Sequence, residues 1–232
     1  MKARDMQIEF ERRITLMNPA LNIAEKVTSD TIFSFLNAYT KRYVKELYLS
    51  SDSTEDGTRA QKRSIDAIKS LLKREVINKT KNVHSDEYTE SFLLPDDYFL
   101  YVRSNSLVTS TYRDRELSNT QAIPNHIIDA DDADNVLTTP FNHIILRNPQ
   151  VILHTGGKEV YANVIHDQYT TLEQLDLVYY RLPKEFNVLN VDGKNILDHC
   201  ELPESTHMEI VEGAVDMFVT EAKYRLNTKQ DK

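Results

Sequence analysis

The chain has 232 residues, 40% of them hydrophobic and 28% charged, which places it among folded globular chains of one large domain or two small ones. Thirty-six acidic against 28 basic residues give a net charge of −8, which argues against a protein that wraps nucleic acid by neutralising phosphates. The single cysteine, Cys200, excludes an intrachain disulfide framework and suits a reducing compartment, and apolar runs as short as Ile144-Ile145-Leu146 exclude a membrane span, which needs about 20 apolar residues.

The opening Met1-Lys2-Ala3-Arg4-Asp5 leads straight into charged helical sequence, without the apolar stretch and cleavage site of a secretory signal, so synthesis in the cytoplasm is expected. Residues 4–17 place Met6, Phe10, Ile14 and Met17 on one side of a short helix, which stops near Asn18-Pro19 because proline disfavours helical backbone in its predecessor. Thr28, Ser29 and Asp30 offer N-cap oxygens to a second helix reaching about Ser50, with Ile32, Leu36, Tyr39, Tyr43 and Leu47 at three- and four-residue steps. After the polar linker 50–57 a third helix is predicted over 58–78, antiparallel to the second, where Ile65, Ile68, Leu72 and Val76 repeat that spacing. Its basic residues (Arg59, Lys62, Arg63, Lys69, Lys73 and Arg74, with Lys79 and Lys81 just after) read first as a solvated helix face and second as a docking surface for an acidic partner.

From Ser91 the period changes to two. Phe92 and Leu94 alternate before the turn Pro95-Asp96-Asp97, and 98–108 resumes the alternation. Further strands are predicted at 143–146, 151–154, 160–165 and 176–182, with Gly156-Gly157 as a hairpin turn. Short helical turns are predicted at 131–137 and 170–174, and a long loop over 114–140. The closing stretch 205–227 carries Val211, Ala214, Val215, Phe218, Val219, Ala222 and Leu226 at helical spacing, a stripe whose natural partners are the N-terminal helices. The expected fold is therefore α+β: a helical bundle from 1–90 and 201–232, carrying an inserted, mostly antiparallel β-domain over 91–200. The polar tail after Leu226 reads as a mobile docking peptide.

Chemical signatures are weak. Asp129, Asp131, Asp132 and Asp134 form the densest acidic cluster, and alternating carboxylates suit hard cations. An EF-hand loop starting at Asp129 would need a carboxylate or amide at Ala133, glycine at Asp134 and glutamate at Pro140, so a solvated loop capping a short helix is the better account. His199, Cys200 and His207 provide one adjacent pair where a tetrahedral zinc site usually has two. Thr155-Gly156-Gly157-Lys158 lacks the phosphate-loop spacing and precedes a strand, and five glycines supply neither GxGxxG nor GxSxG. No catalytic residue, cofactor or metal site is assigned. The rival readings are a metal-dependent enzyme using 129–134 with His126 or His143, and a monomeric interaction adaptor.

Several segments carry a resemblance. Ile8-Glu9-Phe10-Glu11-Arg12-Arg13, Thr28 to Asn37, Leu93-Leu94-Pro95-Asp96-Asp97-Tyr98, Ile145 to Pro149, Asp176 to Pro183, Cys200 to Glu204 and His207 to Val211 are similar to structural proteins of crAss-like phages, and these resemble head-to-tail connector ring proteins of short-tailed bacteriophages. The resemblance implies a virion protein, not an enzyme, made in the bacterial host cytoplasm. It also implies a closed ring of copies of itself, twelve by family resemblance, beneath the portal protein. Such a ring meets further ring or tail proteins and extends a channel through which double-stranded DNA passes without sequence-specific binding. The acidic run at 129–134 matches no family feature. Twelve tyrosines without tryptophan suit partly wet interfaces, although Tyr101, Tyr112, Tyr161, Tyr179 and Tyr180 read equally as core and sheet residues.

Overall fold

Each helix opens on a local polar contact that occupies a backbone group lacking an intrahelical partner. The computed structural model describes residues 1–17, 27–52, 66–80, 89–112, 115–129, 131, 149–166, 170–188 and 197–230. In α1 (Ala3–Met17), Asp5 reaches back to accept from the Lys2 N–H at 3.2 Å. In α2 (Ser29–Asp52), Thr28 Oγ1 accepts from the Thr31 N–H at 3.3 Å, the N-cap bond expected from sequence. In α3 (Glu204–Gln230), the Pro203 carbonyl accepts from the Thr206 N–H at 2.9 Å and from its hydroxyl at 2.8 Å.

The apolar stripes of these helices meet. Ala3, Met6, Phe10 and Ile14 of α1, Ile32, Phe33, Leu36 and Val44 of α2, and Ile210, Val211, Ala214 and Val215 of α3 are all at most 2% exposed. Phe218 ties the three together, its ring edge-on to Phe10 at 5.9 Å and to Phe35 at 5.3 Å. Helices α2 and α3 run antiparallel, since Phe35 meets Phe218, Tyr39 lies over Gly213 and the Tyr43 hydroxyl donates to Glu209. Met17, expected on the buried side, is 59% exposed, because the last residue of a helix has neighbours on one flank only. The loop after the last strand joins this layer through Asn37, whose side chain donates to the Phe186 carbonyl and accepts from its N–H, both at 3.1 Å.

The β-strands form two sheets. β1 (Leu72–Asn78), β3 (Tyr98–Tyr112), β4 (Arg115–Pro124) and β8 (Thr170–Arg181) pair antiparallel in the order β1-β8-β3-β4. β2 (Thr89–Leu93), β5 (His126–Ile127), β6 (Gln150–Gly156) and β7 (Glu159–Ile165) follow the order β2-β7-β6-β5, with β5 and β6 parallel. The inner faces share one core: Val108, Leu172, Leu175, Leu177 and Tyr179 from the first sheet, Phe92, Val151, Ala162 and Val164 from the second. Gly157, at φ 71°, opens the two-residue turn between β6 and β7, a conformation in which a Cβ would be strained.

The chain divides into two compact units, Met1–Leu71 with Leu182–Lys232, and Leu72–Arg181. The α+β class stands, with the helices near the two ends of the sequence. Several elements differ from expectation. The third helix gives way at Leu72 to β1, whose register with β8 runs from Leu72↔Tyr180 to Asn78↔Gln174, and only 66–71 is helical there. The spacing Ile68, Leu72, Val76 fits a helix, but pairing with a strand a hundred residues away supplies a full ladder of hydrogen bonds. For the same reason 170–174, expected as a helical turn, belongs to β8, and the expected loop 114–140 contains β4 and β5. The tail after Leu226 continues the helix to Gln230. The strand expected at 143–146 and the turn over 132–137 lie outside the described residues.

Candidate functional site

Asp129 and Asp131 are exposed, Asp132, Asp134 and His143 lie outside the described residues, and His126 is exposed on β5. Among the described residues no group of three or more His, Cys, Asp or Glu side chains is placed to hold a metal ion. His199 engages Asp198 at 2.7 Å, while Cys200 is buried and its thiol is pushed up to about 11 by desolvation, which disfavours the thiolate that zinc needs. His207 is 2% exposed. Its Nδ1 accepts from the Met1 α-amino group at 2.8 Å and its Nε2 donates to the Leu202 carbonyl at 2.7 Å; the same amino group meets Glu204 Oε1 at 3.0 Å. Burial lowers the pKa of His207, so the ring is held neutral as a structural connector.

Two polar clusters in the sandwich had no signature in the sequence. In the first, the Tyr179 hydroxyl donates to Asp97 Oδ1 at 2.7 Å and lies 3.2 Å from Glu75 Oε2. Lys73 Nζ binds Asp97 and Glu75, both at 3.1 Å, and stands 5.7 Å from the Tyr179 ring centre. Burial, then the Asp97 carboxylate, raises the Tyr179 pKa; hydrogen bonds to Tyr179, Asp97 and Glu75 raise that of Lys73; Asp97 stays low through Tyr179 and Lys73 although burial opposes it. In the second cluster Asn125 Nδ2 donates to Ser104 Oγ at 2.8 Å, Ser106 Oγ donates to Asn125 Oδ1 at 2.6 Å, and the Tyr101 and Ser104 hydroxyls meet at 2.9 Å. These bonds anchor the chain where β4 passes into β5.

Two surfaces have the character of interaction sites. One is a cleft of about 530 Å³ between α2 and α3, lined by Phe35, Tyr39, Arg42, Asp216, Met217 and Glu221. In its wall Tyr39 packs directly on Gly213, where a Cβ would stand 1.8 Å from the Tyr39 ring. The other is the outer face of the four-stranded sheet, where the register aligns Leu72, Arg74 and Val76 of β1 with Tyr180, Val178 and Asp176 of β8, and these with Leu100, Arg103 and Asn105 of β3. Leu72 and Val76 are 44% and 50% exposed. Asp176, only 3% exposed, takes both prongs of Arg74 at 2.7 and 2.8 Å and the Asn105 amide at 3.2 Å, and the Arg74 bond holds its carboxyl below the usual range. Of the basic residues expected on a helix face, Lys69 stays in the short helical stretch, Lys73 and Arg74 are strand groups with the carboxylate partners given above, and Lys79, just past β1, pairs with Glu90 at 3.2 Å. Arg59, Lys62, Arg63 and Lys81 lie outside the described residues. Of the tyrosines, Tyr161, Tyr179 and Tyr180 are buried sheet residues and Tyr101 is half-buried, as the core reading expects.

The geometry defines a class: an α+β chain with a three-helix unit and a two-sheet sandwich. No protein-family model matches the chain, and no curated protein matches it significantly. Among the described residues no helix is long and apolar enough to cross a membrane.

Proposed function

We propose that the chain is a virion structural protein, a ring subunit of the head-to-tail connector of a short-tailed, crAss-like bacteriophage. In this reading it is not an enzyme. Copies close into a ring beneath the portal protein, join it to further ring or tail proteins, and extend the channel through which the duplex travels. The observation that carries the assembly role is the outer face of the β1-β8-β3-β4 sheet. The wet side of an antiparallel sheet is ordinarily polar, yet Leu72 and Val76 of β1 stand exposed on this one with Leu100 partly so, as on a surface built to be covered. The phage context rests on the sequence resemblance. A net charge of −8 supports the channel role, because an acidic wall repels phosphates and lets DNA slide.

The test is electron microscopy and native mass spectrometry of the purified chain, alone and with its portal protein. Closed rings of one repeated subunit, with or without the portal as template, are the expected result. A single-chain mass under both conditions overturns the proposal in favour of a monomeric adaptor.

A further inference from the structure

We propose that Leu72–Asn78 is a conformational switch: it is strand β1 in the major form of the free chain, and in a minor form it continues the helical stretch 66–71 as one helix over 66–78. The segment carries helix chemistry in a strand position. Leu72, Lys73, Arg74 and Glu75 are all strong helix formers, whereas Lys, Glu and Asn, present at 73, 75 and 78, are depleted in strands. Ile68, Leu72 and Val76 stand at four-residue steps, so a helix would align them in one apolar row. The stretch 66–71 runs into β1 with no residue between them. Lengthening it needs no new helix nucleus, the step that ordinarily makes a short helix unfavourable.

The strand form itself is mismatched to its pattern. A strand with one wet face ordinarily turns apolar residues inward and polar ones outward, yet β1 has Lys73 and Glu75 at half-buried positions and Leu72 and Val76 at exposed ones. Only Ile77 follows the rule. The two misplaced apolar residues are the two that would extend the row from Ile68, which is itself 1% exposed. β1 is also an end strand of the order β1-β8-β3-β4, so β8, β3 and β4 keep their own pairing without it. What holds it is the ladder from Leu72↔Tyr180 to Asn78↔Gln174, helped by Lys73 to Asp97 and Arg74 to Asp176. That ladder makes the strand the major form.

The use of the switch rests on the ring reading, although the switch itself does not. A neighbouring subunit that covers Leu72 and Val76 on the outer sheet face binds the strand form alone and draws the population toward it. In the helical form of an unassembled chain those residues leave the sheet edge, where stray copies would otherwise pair.

Saturation-transfer and relaxation-dispersion NMR on the free full-length chain tests the switch. The expected result is a minor state exchanging at 72–78 with helical Cα shifts throughout that stretch. Val76→Ala replaces a β-branched residue by the best helix former and should raise the minor population two- to threefold, whereas Leu72→Thr should lower it by about the same factor. Both positions are exposed, so neither change disturbs a core. A minor state with random-coil shifts would mean a fraying edge strand and overturns the proposal, as does the absence of exchange at 72–78 in both the wild type and Val76→Ala. Neither result bears on the ring, which microscopy with the portal reads separately.

Discussion

The helical unit and the sandwich both have apolar cores, but they differ in the polar groups that surround them. Between α1, α2 and α3 the buried contacts are mainly apolar, and polar links between helices such as Tyr43 to Glu209 and Arg13 to Glu212 lie at the margins. Between and upon the sheets, charged and hydroxyl groups enter the structure itself: Tyr179 with Asp97, Lys73 and Glu75, Asp176 with Arg74, and Asn125 with Ser104 and Ser106. An apolar contact tolerates any pH and fails when volume is removed, whereas a polar cluster fails when a partner is removed or titrated. The units should therefore break under different insults.

The largest effect belongs to volume. Phe10→Ala, at a fully buried ring against Phe218, should cost about 3–5 kcal/mol, and hydrogen exchange should show α1–α3 losing protection while β7 and β8 keep theirs. Equal loss in both units would mean that they unfold as one. Next comes Arg74→Ala, which strands the Asp176 carboxylate. Because the guanidinium is well exposed, the loss is expected to be smaller than that of Phe10→Ala and well short of the full buried-pair cost. Asp176 has a lowered pKa in the folded state, so its contribution is present above the unfolded value of about 3.9 and is lost as pH falls through the folded one. Urea melts should accordingly show the deficit in full at pH 7 and shrinking below about pH 3.9.

Gly213→Ala tests the close approach of α2 and α3. The new methyl displaces the Tyr39 ring and should cost about 1 kcal/mol; in a Tyr39→Ala background the same change should become stabilising by about 0.5–1 kcal/mol, as helix propensity alone then decides. A penalty that persists in that background would place the obstruction elsewhere. The smallest effect is a pH slope. His207 has a lowered pKa through burial, so its contribution is present above the unfolded value of about 6.5 and is lost as pH falls below it, where the ring would charge beside the Met1 amino group. Melts between pH 7 and 5 should show the helical unit weakening before the sandwich, and His207→Gln should flatten that slope.

Legibility in the sequence follows the same division. The stripe Met6, Phe10, Ile14, the cap at Thr28, the stripe Val211, Ala214, Val215 and the Gly157 turn are local patterns, and each is found where its spacing puts it. β1 was hidden because its inward positions include Lys73 and Glu75 beside Ile77, charged groups that make sense only once Asp97 and Tyr179 stand opposite them. The cleft was hidden for a similar reason: a glycine inside a helical stripe looks like a weak point until Tyr39 lies across it.

The sequence by itself determined the α+β class, the places where helices begin, and the meeting of the N-terminal and C-terminal apolar stripes, because helix hydrogen bonds close within four residues and each stripe is written on its own segment. Tertiary structure alone decided that Leu72–Asn78 is a strand, that β8 starts at Thr170, and which charges share the outer sheet face. A strand's hydrogen bonds and neighbours are supplied by other parts of the chain, so no local pattern states them.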